Sequence, residues 1–448
     1  MKLSTLSKAA IAITLPLFFL SFTSAAGGNK PPVGTLTRGP YLQMQSSTGV
    51  SVRWRTSSEN IGKIFYGTQI DKLDQSFEEQ KPTTEHEIAI KQLQAGTQYY
   101  YQVGEKNGPE LRKGLAEQFF NTTPTTNSPY RVWVIGDAGT ANDEQVKVRD
   151  AFYQLEAKEK KQADFWLMLG DNAYNTGTDQ EYQKAVFDIY PQILKRSTLF
   201  STRGNHEASR GPSGQAVYYD IFSFPTGNEL GGLASGTEAY YSFNYGPVHY
   251  VCLDSEGSDR SKTGAMAQWL KKDLENNIKP WTIAFWHHPP YTKGSHDSDR
   301  ESQLVEMREN FLPLLESFGV DLVLSGHSHS YERSYFMNGH FGKSETFKAT
   351  THIVQSGYGR PKQDAAYQKQ TQSDAKGTIY SVAGSSGKIS GGSLNHKAMI
   401  VSLNRLGSVV LDIQEDKIEF RFLRENGSID DEFTIQQKTR KKLVPAKN

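Results

Sequence analysis

The chain has 448 residues, with 50 Lys and Arg against 49 Asp and Glu and a formal net charge of +1. That length provides for two or three domains and a large core, and the balanced charge offers no basic face, which argues against nucleic acid or an anionic membrane as an obligate partner. Aromatic residues at 11% and 39 glycines suit a β-rich chain with many turns and speak against a helical bundle.

Residues 1–26 read as a secretory signal. Lys2 and Lys8 make a basic start, the stretch from Ala9 to Phe22 is mostly apolar with Pro16 inside it, and Ser24-Ala25-Ala26 fits a small-residue cleavage site. The apolar run is short for a membrane span and no basic stop follows it. The expectation is an exported chain, periplasmic or secreted, with no transmembrane anchor after cleavage. The single cysteine, Cys252, leaves no intramolecular disulfide to form. It lies in the strand-like run Val248-His249-Tyr250-Val251-Cys252-Leu253, where it reads as a small buried hydrophobe and His249 as a core or edge histidine.

Residues 31–126 read as an all-β domain. Val50-Ser51-Val52-Arg53-Trp54-Arg55 alternates with period two, Gln98–Val103 does so less cleanly, and turn clusters such as Lys106-Asn107-Gly108-Pro109 separate such runs. Regular short strands with turns predict a small β-sandwich, a packing and spacing module without a dense set of ligands. Asn121–Pro129 is polar and proline-punctuated and marks a boundary.

From Tyr130 strands alternate with helices, the latter predicted at 142–161, 178–190, 263–277 and 300–318; such alternation implies α/β layers. Beyond about Gly342 the chain returns to β, with runs at 351–355, 398–403, 408–413 and 417–423 expected to complete a second sheet. Gly384-Ser385-Ser386-Gly387-Lys388 resembles a phosphate loop, but Ile389 replaces the hydroxyl residue and the spacing is wrong, so it reads as an ordinary loop. The α/β part is placed at 130–435 and a basic tail at 436–448.

Five apolar runs end on metal-ligand residue types. They run into Gly136-Asp137, Gly170-Asp171, Gly204-Asn205-His206-Glu207, His287-His288-Pro289 and Gly326-His327-Ser328-His329. In α/β sheets ligands gather at the carboxyl ends of strands, so the five tips predict one site at one edge of a sheet. Two carboxylates with imidazoles and an amide oxygen suit first-row transition metals better than magnesium or calcium. More donors than one ion needs suggest two, roughly 3.5–4 Å apart, which would clamp the attacking and leaving oxygens of an in-line displacement and activate a water.

The five blocks, in this order, resemble those of the calcineurin-like metallophosphoesterases. Gly139 stands where many members of that superfamily have a histidine, Tyr174 follows Asp171 by three positions, and Tyr331-Glu332-Arg333 follows the last histidine. With Arg38-Gly39-Pro40-Tyr41 opening a fibronectin type III-like amino domain, these details resemble purple acid phosphatases. The resemblance implies a four-layer αββα metallophosphoesterase sandwich preceded by a small all-β sandwich. It implies hydrolysis of small phosphate monoesters by metal-activated hydroxide, with phosphodiesters or nucleotides as the alternative substrates of the same centre. A degenerate, binding-only domain is disfavoured because all seven implied ligands are present. Asp137, Asp171, Tyr174 and His329 would hold Fe(3+), and Asp171, Asn205, His287 and His327 a divalent ion, Zn, Mn or Fe. His206 and His296 are the expected proton-handling residues, His288 a supporting one, and Glu332 and Arg333 loop braces. Nothing in the sequence specifies an oligomeric state.

Overall fold

A computed structural model describes residues 34–106, 115–208, 217–369 and 376–437. The expected signal segment and residues 438–448 of the expected tail lie outside these; Gln436 and Gln437 close the last strand, Ile429–Gln437. Among the described residues no helix is long and apolar enough to cross a membrane.

The amino-terminal part is two facing antiparallel sheets. One orders Leu36–Gln43, Val50–Asn60 and Thr83–Ile90; the other orders Gln75–Glu78, Gly62–Gly67, Gln98–Glu105 and Phe119–Asn121. The period-two pattern turns Val52, Trp54, Ile64, Tyr101 and Val103 inward to a common core. At the corner before Gln98–Glu105 the Tyr99 hydroxyl accepts the Gln94 N–H at 3.0 Å, a bond that fixes such corners in sandwiches of this kind.

This sandwich is bonded to the larger part of the chain. Tyr41 Oη donates to Ile221 O at 2.6 Å, Gln43 Nε2 to Leu199 O at 2.8 Å and Arg53 Nη2 to Asp220 O at 2.6 Å. Arg55 grips Asp179 with two bonds of 2.7 Å, and the buried Arg38 meets the same carboxylate at 2.9 Å.

Two seven-stranded sheets build the rest. The first orders Thr198–Ser201, Phe165–Met168, Tyr130–Ile135, Gly407–Ile413, Lys417–Arg424, Ile429–Gln437 and Tyr367–Lys369. The second orders Tyr241–Tyr245, Val248–Cys252, Trp281–Phe285, Leu322–Ser325, Ile379–Ala383, Tyr331–Ser334 and Met399–Leu403. Aromatic rings fill the space between them: Phe200 stacks on Phe243 at 3.9 Å, and Phe165 meets Tyr250 edge-on at 5.2 Å. On the outer face of the first sheet the helix Asp143–Glu159 packs Phe152 flat against Trp133, 4.4 Å between centroids. The helices Ala265–Asn276 and Leu312–Phe318 pack Leu270 and Leu315 into the core behind the second sheet. The layers are therefore helix, sheet, sheet, helix.

Four expectations change. The five tips do not share one sheet edge: the strands ending at Ile135, Met168 and Ser201 are parallel neighbours in the first sheet, and those ending at Phe285 and Ser325 are parallel neighbours in the second. The carboxyl-terminal runs do not complete a single second sheet. Only Met399–Leu403 joins it, while Gly407–Ile413 pairs antiparallel with Tyr130–Ile135 and extends the first. The predicted helices 178–190 and 300–318 are each interrupted, by π-helical turns at Gln183–Phe187 and Met307–Phe311. Pro191 and Pro313 each stand in the first turn of the helical segment that comes next, where they have no N–H to give to an unbroken helix. The run at 351–355 likewise opens as a helical turn, Ala349–His352, before the strand Ile353–Gln355.

Candidate metal centre

Each donor sits just past a strand end, on backbone that must turn sharply. Asp137, Asp171 and His327 adopt left-handed backbone, with φ of 53°, 52° and 64°. Such conformations cost energy for a residue with a side chain, and they recur at functional sites. The glycines before the donors answer a second need, close approach. A Cβ on Gly204 would lie 2.2 Å from Asp171 Oδ1, and one on Gly326 would lie 2.5 Å from Asp137 Oδ2. Any side chain there would occupy the space the carboxylates use.

The donor atoms converge although their strands belong to different sheets. Tyr174 Oη is 3.3 Å from Asp137 Oδ1, 3.1 Å from Asp171 Oδ2 and 3.2 Å from His329 Nε2. His329 Nε2 is 3.6 Å from Asp137 Oδ1. Asn205 Oδ1 is 3.0 Å from both His287 Nε2 and His327 Nδ1, those two nitrogens are 3.2 Å apart, and His287 Nε2 is 3.5 Å from Asp171 Oδ1. The seven residues thus form two adjoining groups that meet at Asp171.

The chemistry of this donor set fits cations. His287 gives its Nδ1–H to the Leu169 carbonyl at 2.8 Å, which can only accept, so Nε2 is the atom that takes up a proton or, in the neutral ring, presents a lone pair to the centre. His327 points Nε2 at the Glu301 carboxylate, 3.3 Å away, so its Nδ1 does the same. The outer partners therefore set both tautomers so that lone pairs face one another and the Asn205 oxygen. The Asp137 and Asp171 carboxylates are buried beside them. Such an arrangement calls for positive charge in its middle.

The electrostatics agree. Burial resists charge on His287, but Asp171 and then Asp137 hold a proton there, pushing its pKa up to about 10. Burial likewise opposes ionisation of Asp171, yet His287 and His206 outweigh it and keep the carboxyl well below its ordinary value. Tyr174 is pushed far up by burial and by Asp137 and Asp171, so without cations its phenol stays protonated. Cations would replace these protons, as metal binding generally does.

His206 and His296 flank the cluster. His206 gives Nδ1–H to the Asn175 carbonyl at 2.6 Å, and its ring lies 4.6 Å from that of Tyr174. His296 donates Nδ1–H to Glu301 at 2.9 Å, and its ring lies 3.7 Å from that of His327. His288 lies behind: its Nδ1 is 2.9 Å from Ser255 Oγ, its ring 4.4 Å from His327, and burial with the neighbouring histidines keeps it neutral. Glu332 is buried against Ser330 Oγ at 3.1 Å and also bonds Thr292 Oγ1, while Arg333 pairs with Asp431 at 2.6 and 2.9 Å. Cys252 is buried, and His249 pairs with Asp273 at 2.7 Å.

Two acidic residues carry more of the site than their sequence context signals. Glu301 joins His296 to His327 from the loop before the helix Ser302–Glu306. Glu207, fully buried, accepts the backbone N–H groups of Asp171 (2.9 Å), Asn172 (2.6 Å), Ala173 (3.0 Å) and Gly204 (2.8 Å). It ties the Asp171 turn to the Asn205 turn. Glu207 stands inside one of the five blocks, whereas nothing periodic marks Glu301.

Known proteins resemble both parts of the chain. Residues 130–331 match the family described as Calcineurin-like phosphoesterase, and residues 38–123 match the Purple acid Phosphatase, N-terminal domain. Purple acid phosphatase 15 of Arabidopsis thaliana is 29% identical over 279 residues, covering 56% of this chain and 49% of that protein. Purple acid phosphatase 1 of Ipomoea batatas is 28% identical over 338 residues, covering 70% and 66%. The chain spans about half to two thirds of the length of these relatives. Among solved structures, purple acid phosphatase PPD1 from yellow lupin (Lupinus luteus) seeds superposes with a TM-score of 0.68 at 18% identity, covering 90% of this chain and 74% of that one. PhoD superposes with a TM-score of 0.59 at 13% identity, covering 88% and 89%. With both of its parts matched in order and the fold shared, the chain belongs to the purple acid phosphatase family of calcineurin-like phosphoesterases.

Proposed function

We propose that the chain is an exported hydrolase of small phosphate monoesters that works with two metal ions. The observation that carries this reading is the convergence of seven donor side chains, drawn from two sheets, on two adjoining groups that share Asp171. Asp137, Asp171, Tyr174 and His329 would hold one ion. A phenolate and two carboxylates are hard anionic donors, so a trivalent ion, Fe(3+), suits them. Asp171, Asn205, His287 and His327 would hold the other, for which neutral imidazoles and an amide suit a divalent ion, Zn, Mn or Fe. When bound, the pair supplies Lewis-acid charge for the phosphoryl oxygens and makes water a nucleophile near neutral pH.

The chain's own residues orient the ester and move its protons. With Nδ1–H committed to the Asn175 carbonyl, His206 exchanges protons at Nε2, on the side of the ring facing Asp171, 3.9 Å from Oδ2. His296, its Nδ1–H held by Glu301, likewise presents Nε2. Either nitrogen can donate to a phosphoryl oxygen and then to the departing alkoxide. Glu301 orients both His296 and His327, and so couples proton handling to ligand geometry.

The test is metal analysis and visible spectroscopy beside turnover of p-nitrophenyl phosphate. Two metals per chain and a tyrosinate-to-iron absorption that Tyr174→Phe abolishes are expected. Asp171→Ala and His327→Ala should each remove turnover and at least one metal. Near-normal turnover in either variant would overturn the reading.

A further inference from the structure

We infer that Lys388 is a specificity-determining residue that engages a second anionic group on the substrate. The inference rests on the phosphohydrolase reading and deepens it. Lys388 lies in the loop Gly384–Ser390, and its Nζ sits 4.2 Å from the centre of the Tyr174 ring. It is half-buried, and among the described residues no carboxylate lies within ion-pairing distance of it. The other lysine on this rim, Lys293, is by contrast tied to Asp297 and to Asp299 at 2.8 Å. Among the described residues Lys388 is therefore a cation without a direct carboxylate partner, beside the centre proposed to take a phosphoryl group.

The sequence around it keeps it so: no Asp or Glu occurs from Lys376 to Leu411. The loop is also pinned on both sides to the donor turns. Ser386 N donates to Gly136 O at 3.1 Å, the Gly387 carbonyl accepts from Thr140 Oγ1 and Asn142 Nδ2, both at 3.2 Å, and Ser390 Oγ lies 2.8 Å from His329 Nδ1. A Cβ on Gly387 would lie 2.7 Å from Asp137 O, so the chain passes against the site itself. The backbone of Lys388 is fixed while, among the described residues, its ammonium is held by a ring face alone, a contact that a phosphate or carboxylate readily outbids.

The position decides which anion it meets. Nζ lies over the body of the Tyr174 ring, not at the hydroxyl that faces Asp137, Asp171 and His329. A phosphoryl group in the centre would be held by the ions and flanking histidines, and Lys388 would meet the group beyond it. The favoured class is thus phosphate esters or anhydrides with a further phosphate or carboxylate close to the scissile phosphorus.

The test compares Lys388→Ala and Lys388→Arg with the native chain on pyrophosphate and on p-nitrophenyl phosphate, whose aryl group carries no charge in the intact ester. Loss of a charge-assisted contact predicts that KM for pyrophosphate rises about tenfold in Lys388→Ala. KM for p-nitrophenyl phosphate should rise no more than about twofold, and Lys388→Arg should restore most of the difference. Calorimetric binding of pyrophosphate and of inorganic phosphate to the metal-loaded protein reads the same contrast without turnover. Absence of hydrolysis in the native chain would thus refute the phosphohydrolase reading while this contrast still decides the role of Lys388. Equal effects on both ligands, or none on pyrophosphate, would overturn the inference. So would a parallel fall in kcat and metal content, which would make the loop merely structural.

Discussion

Replacing Glu207 by Gln is the sharpest probe of how the centre is held. Oε2 accepts the N–H groups of Asp171 and Gly204, and Oε1 those of Asn172 and Ala173, all between 2.6 and 3.0 Å. Burial and the Asp171 carboxylate push its pKa up, the Gly204 and Ala173 N–H groups pull it down, and the balance lies at about 7. Every hydrogen-bonding neighbour is a donor, so only the ionised form satisfies all four. A glutamine turns one oxygen into an NH2 group facing two buried N–H groups. Each buried donor left unmade costs about 1–3 kcal/mol, which sets the loss at about 2–4 kcal/mol after local relaxation. The same change loosens two ligand turns, and disturbed outer support of this kind lowers metal affinity about 10–100-fold. Urea unfolding of the metal-free variant measures the first effect, and metal titration the second. A destabilisation under about 0.5 kcal/mol with unchanged metal affinity would refute the argument.

Glu316 gives a pH dependence of defined sign. Burial raises its carboxyl to about 7, against the contrary pull of the Tyr380 hydroxyl and the Gly339 N–H. A carboxyl raised on folding contributes stability that is fully present below its unfolded value and is lost as pH rises through about 7; from the shift, the change is on the order of 3 kcal/mol. Glu316→Gln should flatten thermal stability between about pH 5 and pH 8, and an unaltered slope would count against this. Asp179 runs the other way. The Arg55 hydrogen bonds, offset in part by burial, lower it to about 2, so its contribution is present above the ordinary carboxylate range and lost as pH falls through about 2. Because this carboxylate is partly exposed, Asp179→Asn should cost only about 1 kcal/mol. It should nonetheless speed proteolytic separation of the amino-terminal sandwich, which an unchanged cleavage rate would disprove.

The larger part of the fold is legible in the sequence where pattern and chemistry coincide. Apolar runs closed by Gly-Asp, Gly-Asn-His or Gly-His-Ser-His place the donors at strand ends, and glycine spacing implies turns tight enough to bring backbone against carboxylate. Sheet membership is not legible. The runs ending at Ile135 and Phe285 look alike as strings, and only long-range pairing assigns them to different sheets. The carboxyl-terminal strands mislead for the same reason, since Gly407–Ile413 pairs with Tyr130–Ile135, far earlier in the chain. Glu301 carries no signal because a loop carboxylate has no period, and its value comes from two histidines it meets only in three dimensions. Lys388 stays hidden because its loop fails the phosphate-binding pattern, and its place over the Tyr174 ring is a property of the fold alone.

Because three donor turns belong to one sheet and two to the other, the centre straddles a seam. Cations bound there would act as rivets at one end of two slabs that also meet through aromatic rings and the buried Arg333–Asp431 pair. A chelator would then loosen the seam at the donor turns, and chelation should show first as faster hydrogen exchange along the Tyr130–Ile135 and Trp281–Phe285 strand ends, before any secondary structure is lost.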